Sequence, residues 1–260
     1  MRVSTRGHWQ GFWEQARALS LDDVYDNDGR IVREILALGP ATGKRLLEVG
    51  AGSGRDAVAL ARAGADVVTV DYAVGSLGLT AAAAARAGAE VEPVGGDALA
   101  LPFADASFDV VFHQGLMEHF RDPGVLLAEN FRVLRPGGWL VVDVPQRWHY
   151  YTAAKQVLIA TGRWFAGWET QFSVRELERT VAAQGFTVVR AYGDWLVPGL
   201  WYRGLRKVLL TRCGVRLPMR PDPAPPLSRL AARVRARLRA RRWALYTTLT
   251  IGVVARRPTA

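Results

Sequence analysis

The stretch Leu46-Leu47-Glu48-Val49-Gly50-Ala51-Gly52-Ser53-Gly54 and the carboxylate of Asp71, which closes the next apolar run, could together hold a nucleoside. Glycine lets backbone N–H groups approach a ligand with no side chain in the way. An acid at the tip of the neighbouring strand can accept both hydroxyls of a ribose. The turn reads Gly50-x-Gly52-x-Gly54 and is followed by Arg55. A dinucleotide fingerprint places its third glycine one position later, so that the helix packs close beneath a pyrophosphate. Arginine at that place opposes such packing. Glu48 suits a different ligand, because a carboxylate there can attract an ammonium group directly or through water. S-adenosylmethionine, a nucleoside bearing an amino acid, meets these requirements better than a dinucleotide. Taken alone, the glycines could merely make a tight turn, and Asp71 could cap the next helix.

Residues so spaced need a parallel sheet to bring them together. Leu46–Gly50, Val67–Asp71, Val91–Val94, Phe108–Phe112 and Trp139–Val144 read as strands. Arg55–Ala63, Val74–Ala87 and Pro123–Leu134 between them read as helices. This alternation predicts an α/β fold with a doubly wound parallel sheet, which two later strands bring to a mostly parallel seven-stranded one. Arg135-Pro136-Gly137-Gly138 reads as a stop and turn before the fifth strand. Ser173-Val174-Arg175-Glu176 is a capping box for a helix running to about Gln184. Phe186–Tyr192 is a sixth strand and Thr247–Arg256 the last, paired antiparallel, with a helical insertion in their connection. The expected organisation is an N-terminal helical cap (1–44) with Trp9, Phe12, Trp13 and Tyr25, an α/β domain (45–194), a basic insertion (195–245), and a last strand and tail (246–260).

Further motifs follow in order. Gly96-Asp97-Ala98 comes after the third strand, where a carboxylate could accept a hydrogen bond from an adenine amino group. Leu101-Pro102-Phe103, Ser107-Phe108-Asp109-Val110-Val111, Met117-Glu118-His119-Phe120 and Arg132-Val133-Leu134-Arg135-Pro136-Gly137-Gly138 come next. From Arg45 to Val144 this succession resembles the class I S-adenosylmethionine-dependent methyltransferases, especially the small-molecule branch of the methyltransferase-11 type. The resemblance implies a Rossmann-like methyltransferase fold. It implies that Glu48, Gly50 and Gly52, in the turn closed by Gly54, hold the methionine part, and that Asp71 holds the ribose. Tyr72 would pack on the adenine, Asp97 and the backbone of Ala98 would read its amino edge, and His113 and Gln114 would line the floor near the methyl group.

Methyl transfer is an in-line displacement on a sulfonium carbon with an excellent leaving group. The protein mainly supplies orientation and a dry site. A base is needed only where the nucleophile must lose a proton. His119, a few residues past the fourth strand, is the candidate base, although it could equally be a helix-start residue bonded to backbone. Metal-assisted transfer is disfavoured because His113-Gln114-Gly115 stands where an acid is required, and no residue set suggests a metal.

Half of the 260 residues are hydrophobic, enough for a sizeable core. A single cysteine, Cys213, excludes a disulfide framework and a cysteine zinc cluster. With no signal-peptide pattern and no membrane-length apolar run, a cytoplasmic protein, membrane-associated at most, is expected. The net charge of +10 is unevenly placed, since Trp195–Leu245 holds 13 Arg and Lys against one acid, Asp222, a local +12. In its second half Leu227, Leu230, Ala231, Val234, Leu238 and Leu245 form one stripe flanked by arginines. Three readings stay open: a lid on the sheet, a helix lying on an anionic membrane, or a track along nucleic acid. Nucleic acid is the least favoured partner, as no recognition motif appears. The sequence thus points to methyl transfer from S-adenosylmethionine to a small lipophilic or aromatic acceptor, by preference at oxygen. An RNA methyltransferase or a non-catalytic cofactor-binding partner protein are the alternatives.

Overall fold

The computed structural model describes residues 5–16, 29–164, 166–195, 197, 199–219, 221–222, 224–239 and 241–259, so Tyr25 of the expected cap lies outside the described residues. Seven strands form one sheet: β1 (Arg45–Val49), β2 (Asp66–Asp71), β3 (Val91–Gly95), β4 (Phe108–Gln114), β5 (Leu134–Pro145), β6 (Thr187–Asp194) and β7 (Thr250–Arg256). Their order is β3-β2-β1-β4-β5-β7-β6. Neighbours from β3 to β5 run parallel, and β7 is antiparallel to both β5 and β6. This is the α/β architecture that the strand–helix alternation predicts, in the Rossmann-like form that the resemblance implies.

The strands are legible because both sheet faces are covered, so each reads as a continuous apolar run. Leu47, Val49, Val68, Val70 and Val111 point into one core, and Leu46, Val67, Val110 and Phe112 into the other. Nine helices in the described residues surround or extend the sheet. They are α1 (Arg6–Ala16), α2 (Arg30–Leu36), α3 (Arg55–Arg62), α4 (Val74–Ala87), α5 (Gly124–Val133), α6 (Tyr150–Ala160), α7 (Val174–Ala182), α8 (Leu200–Cys213) and α9 (Pro225–Arg239). Ile31, Ile35, Ala57 and Leu60 of α2 and α3 cover one face, and Leu126, Leu127, Leu177 and Val181 of α5 and α7 the other. The capping box forms as read: the Ser173 side chain accepts from the Glu176 N–H, and the Glu176 carboxylate from the Ser173 N–H. Among the described residues no helix is long and apolar enough to cross a membrane.

Two expectations need correction. Arg135–Gly138 does not precede the fifth strand but lies within β5, as an excursion between the pairs Phe108↔Leu134 and Val110↔Trp139. Gly137 adopts φ +78°, its N–H donates to the Arg257 carbonyl, and the Arg257 N–H donates to the Gly138 carbonyl at 2.9 Å each. The strand after next therefore holds the loop in the sheet. Leu245 does not continue the apolar stripe of α9. The α-helix ends at Arg239, a 3-10 turn covers Arg242–Thr247, and the changed phase turns Leu245 into the core beside Gly193.

Candidate active site

The strand order reverses between β1 and β4, and ligands of open α/β sheets bind at the carboxyl ends of strands beside such a switch. The glycine turn after β1 sits there. Gly50, Gly52 and Gly54 all have positive φ, at +66°, +56° and +65°. A Cβ on Gly50 would stand 2.8 Å from Leu116, just past β4. One on Gly52 would stand 2.4 Å from the Trp13 ring of α1. A side chain at either place would collide with these two neighbours, which already lie against the turn.

Asp71, at the tip of β2, is 6 % exposed and braces that turn. Its Oδ2 accepts from the Gly52 N–H at 3.0 Å and the Ser76 hydroxyl at 2.9 Å, and its Oδ1 from the Ala73 N–H at 2.9 Å. A carboxylate offers about four lone-pair sites. Three are engaged, so a ribose held through both hydroxyls has to displace one of these donors. Half-buried Tyr72 is the next residue. The Asp71 carbonyl accepts from the Gly96 N–H at 3.1 Å, which fixes the end of β3 beside β2. Asp97 follows, exposed, with one oxygen accepting from the Leu99 N–H at 2.9 Å, and Ala98 is buried behind it.

Glu48 is buried in β1 and its Oε2 accepts from the Ala57 N–H at 3.1 Å, in the first turn of α3. Burial above all, then the charge of Asp56, drives its carboxyl well above the usual range. An ammonium group nearby would restore its charge. On β4, Gln114 is half-buried and His113 fully buried. Neither nitrogen of His113 has a partner, and burial lowers its pKa to about 3, so the ring stays neutral.

His119 ends a 3-10 turn, Met117–His119, that begins shortly after β4. Its Nδ1 is buried without a partner, and Trp9 of α1 meets the ring edge-on at a centroid distance of 5.0 Å. Burial lowers its pKa, against the opposing charge of Glu169. Hydrogen bonding to the Trp168 and Gly115 backbone also opposes the shift, and burial wins in favour of the neutral imidazole.

Two groups escaped the sequence reading. Glu118 lies inside the Met117–Phe120 motif, yet only its environment reveals it. It is 3 % exposed, its Oε2 has no partner, and burial together with the nearby Glu169 charge raises its pKa to about 8. Beside it, buried Lys155 pairs with Glu169, which also accepts from the Trp164 indole N–H at 2.5 Å. The second is Trp13. As a tryptophan of the N-terminal segment it was visible, but its seat on Gly52 and Gly75 depends on where α1 folds back. The Gln10 side-chain Oε1, accepting from the Gly75 N–H at 3.4 Å, helps to set that position. Among the described residues no group of His, Cys, Asp and Glu could hold a metal.

The site fits an adenosyl sulfonium by its donor set: a glycine cradle, a buried acid on β1, an acid at the end of β2 and another after β3. Comparisons with known proteins agree. Residues 47–142 match the family described as methyltransferase domain (Methyltransf_11). The chain is 42 % identical over 106 residues to a demethylmenaquinone methyltransferase of Renibacterium salmoninarum, covering 41 % of this chain and 43 % of that protein. It is 33 % identical over 166 residues to a ubiquinone biosynthesis O-methyltransferase of Azorhizobium caulinodans, covering 60 % and 64 %. The chain thus spans about half the length of the curated relatives it matches. Among solved structures, magnesium protoporphyrin IX methyltransferase from Synechocystis PCC 6803 with bound SAH superposes with a TM-score of 0.62 at 15 % identity, over 97 % of each chain. That likeness shows the fold.

Proposed function

We propose that this chain, with a methyltransferase domain at residues 47–142, transfers a methyl group from S-adenosylmethionine to a small lipophilic or aromatic acceptor, by preference at oxygen. The observation that carries the reading is the glycine turn at the sheet's switch point, tied to Asp71 and preceded on β1 by the buried acid Glu48. The relatives named for quinone-type acceptors support the acceptor class. So do the aromatic side chains of α1 beside His119 and Gly52.

When bound, the cofactor supplies an electrophilic methyl on a sulfonium. Glu48, Gly50, Gly52 and Gly54 would hold its amino-acid end, Asp71 and Tyr72 its nucleoside, and Asp97 and Ala98 its base. Trp9 beside His119 and Trp13, once displaced from Gly52, would keep water from the bound cofactor, which favours a displacement whose charge disperses in the transition state. His119, whose neutral form burial favours, would take the proton of an acceptor hydroxyl.

Calorimetric titration with S-adenosylhomocysteine and with NAD tests the first half of this reading. Binding of the former alone is expected; binding of NAD alone would contradict it. Transfer of labelled methyl to a panel of phenols and hydroquinones, with RNA alongside, tests the second half. Label in RNA and in none of the small molecules would overturn the acceptor class.

A further inference from the structure

We propose that the outward faces of α8 and α9 dock this protein on an anionic lipid surface. Neither helix spends its apolar side on the core. In α9, Leu227, Leu230 and Val234 share one face by their i, i+3, i+7 spacing and are 67 %, 57 % and 46 % exposed. No described residue of α9 is buried. In α8, Trp201, Leu205 and Val208 share a face by their i, i+4, i+7 spacing and are 80 %, 37 % and 49 % exposed. Apolar side chains displayed at helical spacing on two consecutive helices mark a binding surface.

The charges around them select the partner. Lys207, Arg212, Arg216, Arg229, Arg233 and Arg237 are exposed and form no ion pair among the described residues. The acid of this segment, Asp222, accepts from Ser228. By contrast, Arg239 pairs with Asp194 at 2.5 Å, and Arg242 with Glu178 at 2.5 Å. These two arginines pin the base of the excursion to β6 and α7 and leave its outer part to face outward. A nucleic-acid backbone would match the cations but leave Trp201, Leu227 and Leu230 in water. A bilayer with anionic headgroups accommodates both, with the apolar face about 5–10 Å into the headgroup–acyl boundary. The arginine stems lie along it and their guanidiniums reach phosphate.

The topology places this surface at the working edge of the sheet. β5 and β6 are each antiparallel to β7, so β6 runs parallel to β1–β5. Its carboxyl end, Asp194, therefore lies at the same edge as Gly50 and Asp71, and α8 and α9 leave the sheet from there. A lipid-dissolved acceptor would be delivered at that edge, although docking itself does not depend on methyl transfer.

Flotation of the full chain with vesicles, and titration to obtain partition coefficients, tests the proposal. Vesicles of phosphatidylcholine containing about one third phosphatidylglycerol are expected to recover the protein, and pure phosphatidylcholine vesicles are not. Each arginine neutralised is expected to lower partitioning about fivefold, so reversing Arg229, Arg233 and Arg237 to Glu together should lower it more than about 100-fold. Leu227→Asp with Leu230→Asp changes only exposed positions and should also release the protein, with its melting temperature and S-adenosylhomocysteine affinity unchanged. Trp201 emission should shift to the blue on anionic vesicles, and that shift should vanish in Trp201→Phe. Equal recovery from both vesicle types, or from neither, overturns the proposal. So does binding that survives the leucine changes, preferential retention on RNA, or burial of the leucine face in a dimer seen by light scattering.

Discussion

Asp71→Asn separates two jobs of one carboxylate. The aspartate accepts three hydrogen bonds, from the Gly52 N–H, the Ser76 hydroxyl and the Ala73 N–H. Asparagine keeps the shape but only one accepting oxygen. With that oxygen on Gly52 and Ser76, its NH2 faces the Ala73 N–H, donor against donor. Losing one bond to a charged acceptor in a buried place costs about 2 kcal/mol. For a chain of this size that lowers the melting temperature by about 4–8 °C. The ribose loses more, because the group meant to take both hydroxyls has lost its charge and one acceptor. About 3 kcal/mol, or roughly 100-fold in S-adenosylhomocysteine affinity, is the expected loss. Ser76→Ala is the control. It removes the donor that bridges Asp71 and the Gly52 carbonyl, so it should lower stability while leaving a lone pair of Asp71 available and the affinity intact. Scanning calorimetry and titration calorimetry read the two effects separately. If Asp71→Asn melts early yet binds S-adenosylhomocysteine as tightly as the natural protein, Asp71 merely braces the turn and its ribose role is refuted.

Gly52→Ala puts a methyl into the Trp13 ring at a φ of +56°, and should abolish S-adenosylhomocysteine binding by titration. Because the Trp13 ring must leave Gly52 to admit the ligand, the methyl then stands in the ligand's own place and backbone strain of about 1–2 kcal/mol stays, so adding Trp13→Ala should not restore binding; full binding by the single variant would remove the cradle argument. His119→Ala should abolish turnover while sparing cofactor affinity, and in the natural enzyme kcat/KM should fall on the acid side below the ordinary histidine pKa, as burial lowers that of His119; unchanged turnover removes it as the base. Glu118 has a folded-state pKa raised to about 8 from 4.5, so its contribution to stability is full below 4.5 and is lost as pH rises through 8. Glu118→Gln should therefore gain melting temperature relative to the natural protein at alkaline pH and not at pH near 4.5, and a pH-independent difference would show that the carboxyl is not held protonated.

The sequence carried the sheet and the order of site motifs because both are local. Val67–Asp71 and Leu46–Gly50 announce themselves through apolar runs that both core faces require, and a glycine turn must follow the strand it closes. The misreadings share a different cause. Arg135–Gly138 has the composition of a turn, and it stays in the sheet because Arg257, more than a hundred residues later, bonds to Gly137 and Gly138. The Arg257 guanidinium also bonds to the Phe131 and Leu134 carbonyls. Leu245 fits the helical phase of α9, and the break after Arg239 cancels that phase. Glu118 was visible as a residue of a motif, but burial beside the Lys155–Glu169 pair is a property of the folded neighbourhood. The seat of Trp13 on Gly52 likewise exists only once α1 lies across the turn.

The crystal structure of the complex with S-adenosylhomocysteine tests the central claim most directly. The expected density has the ribose hydroxyls on Asp71, the adenine between Tyr72 and Asp97, and the amino group beside Glu48, with the Trp13 ring moved off Gly52. Ligand bound elsewhere, or a cleft left empty at saturating ligand with Trp13 still seated on the glycine, would contradict it.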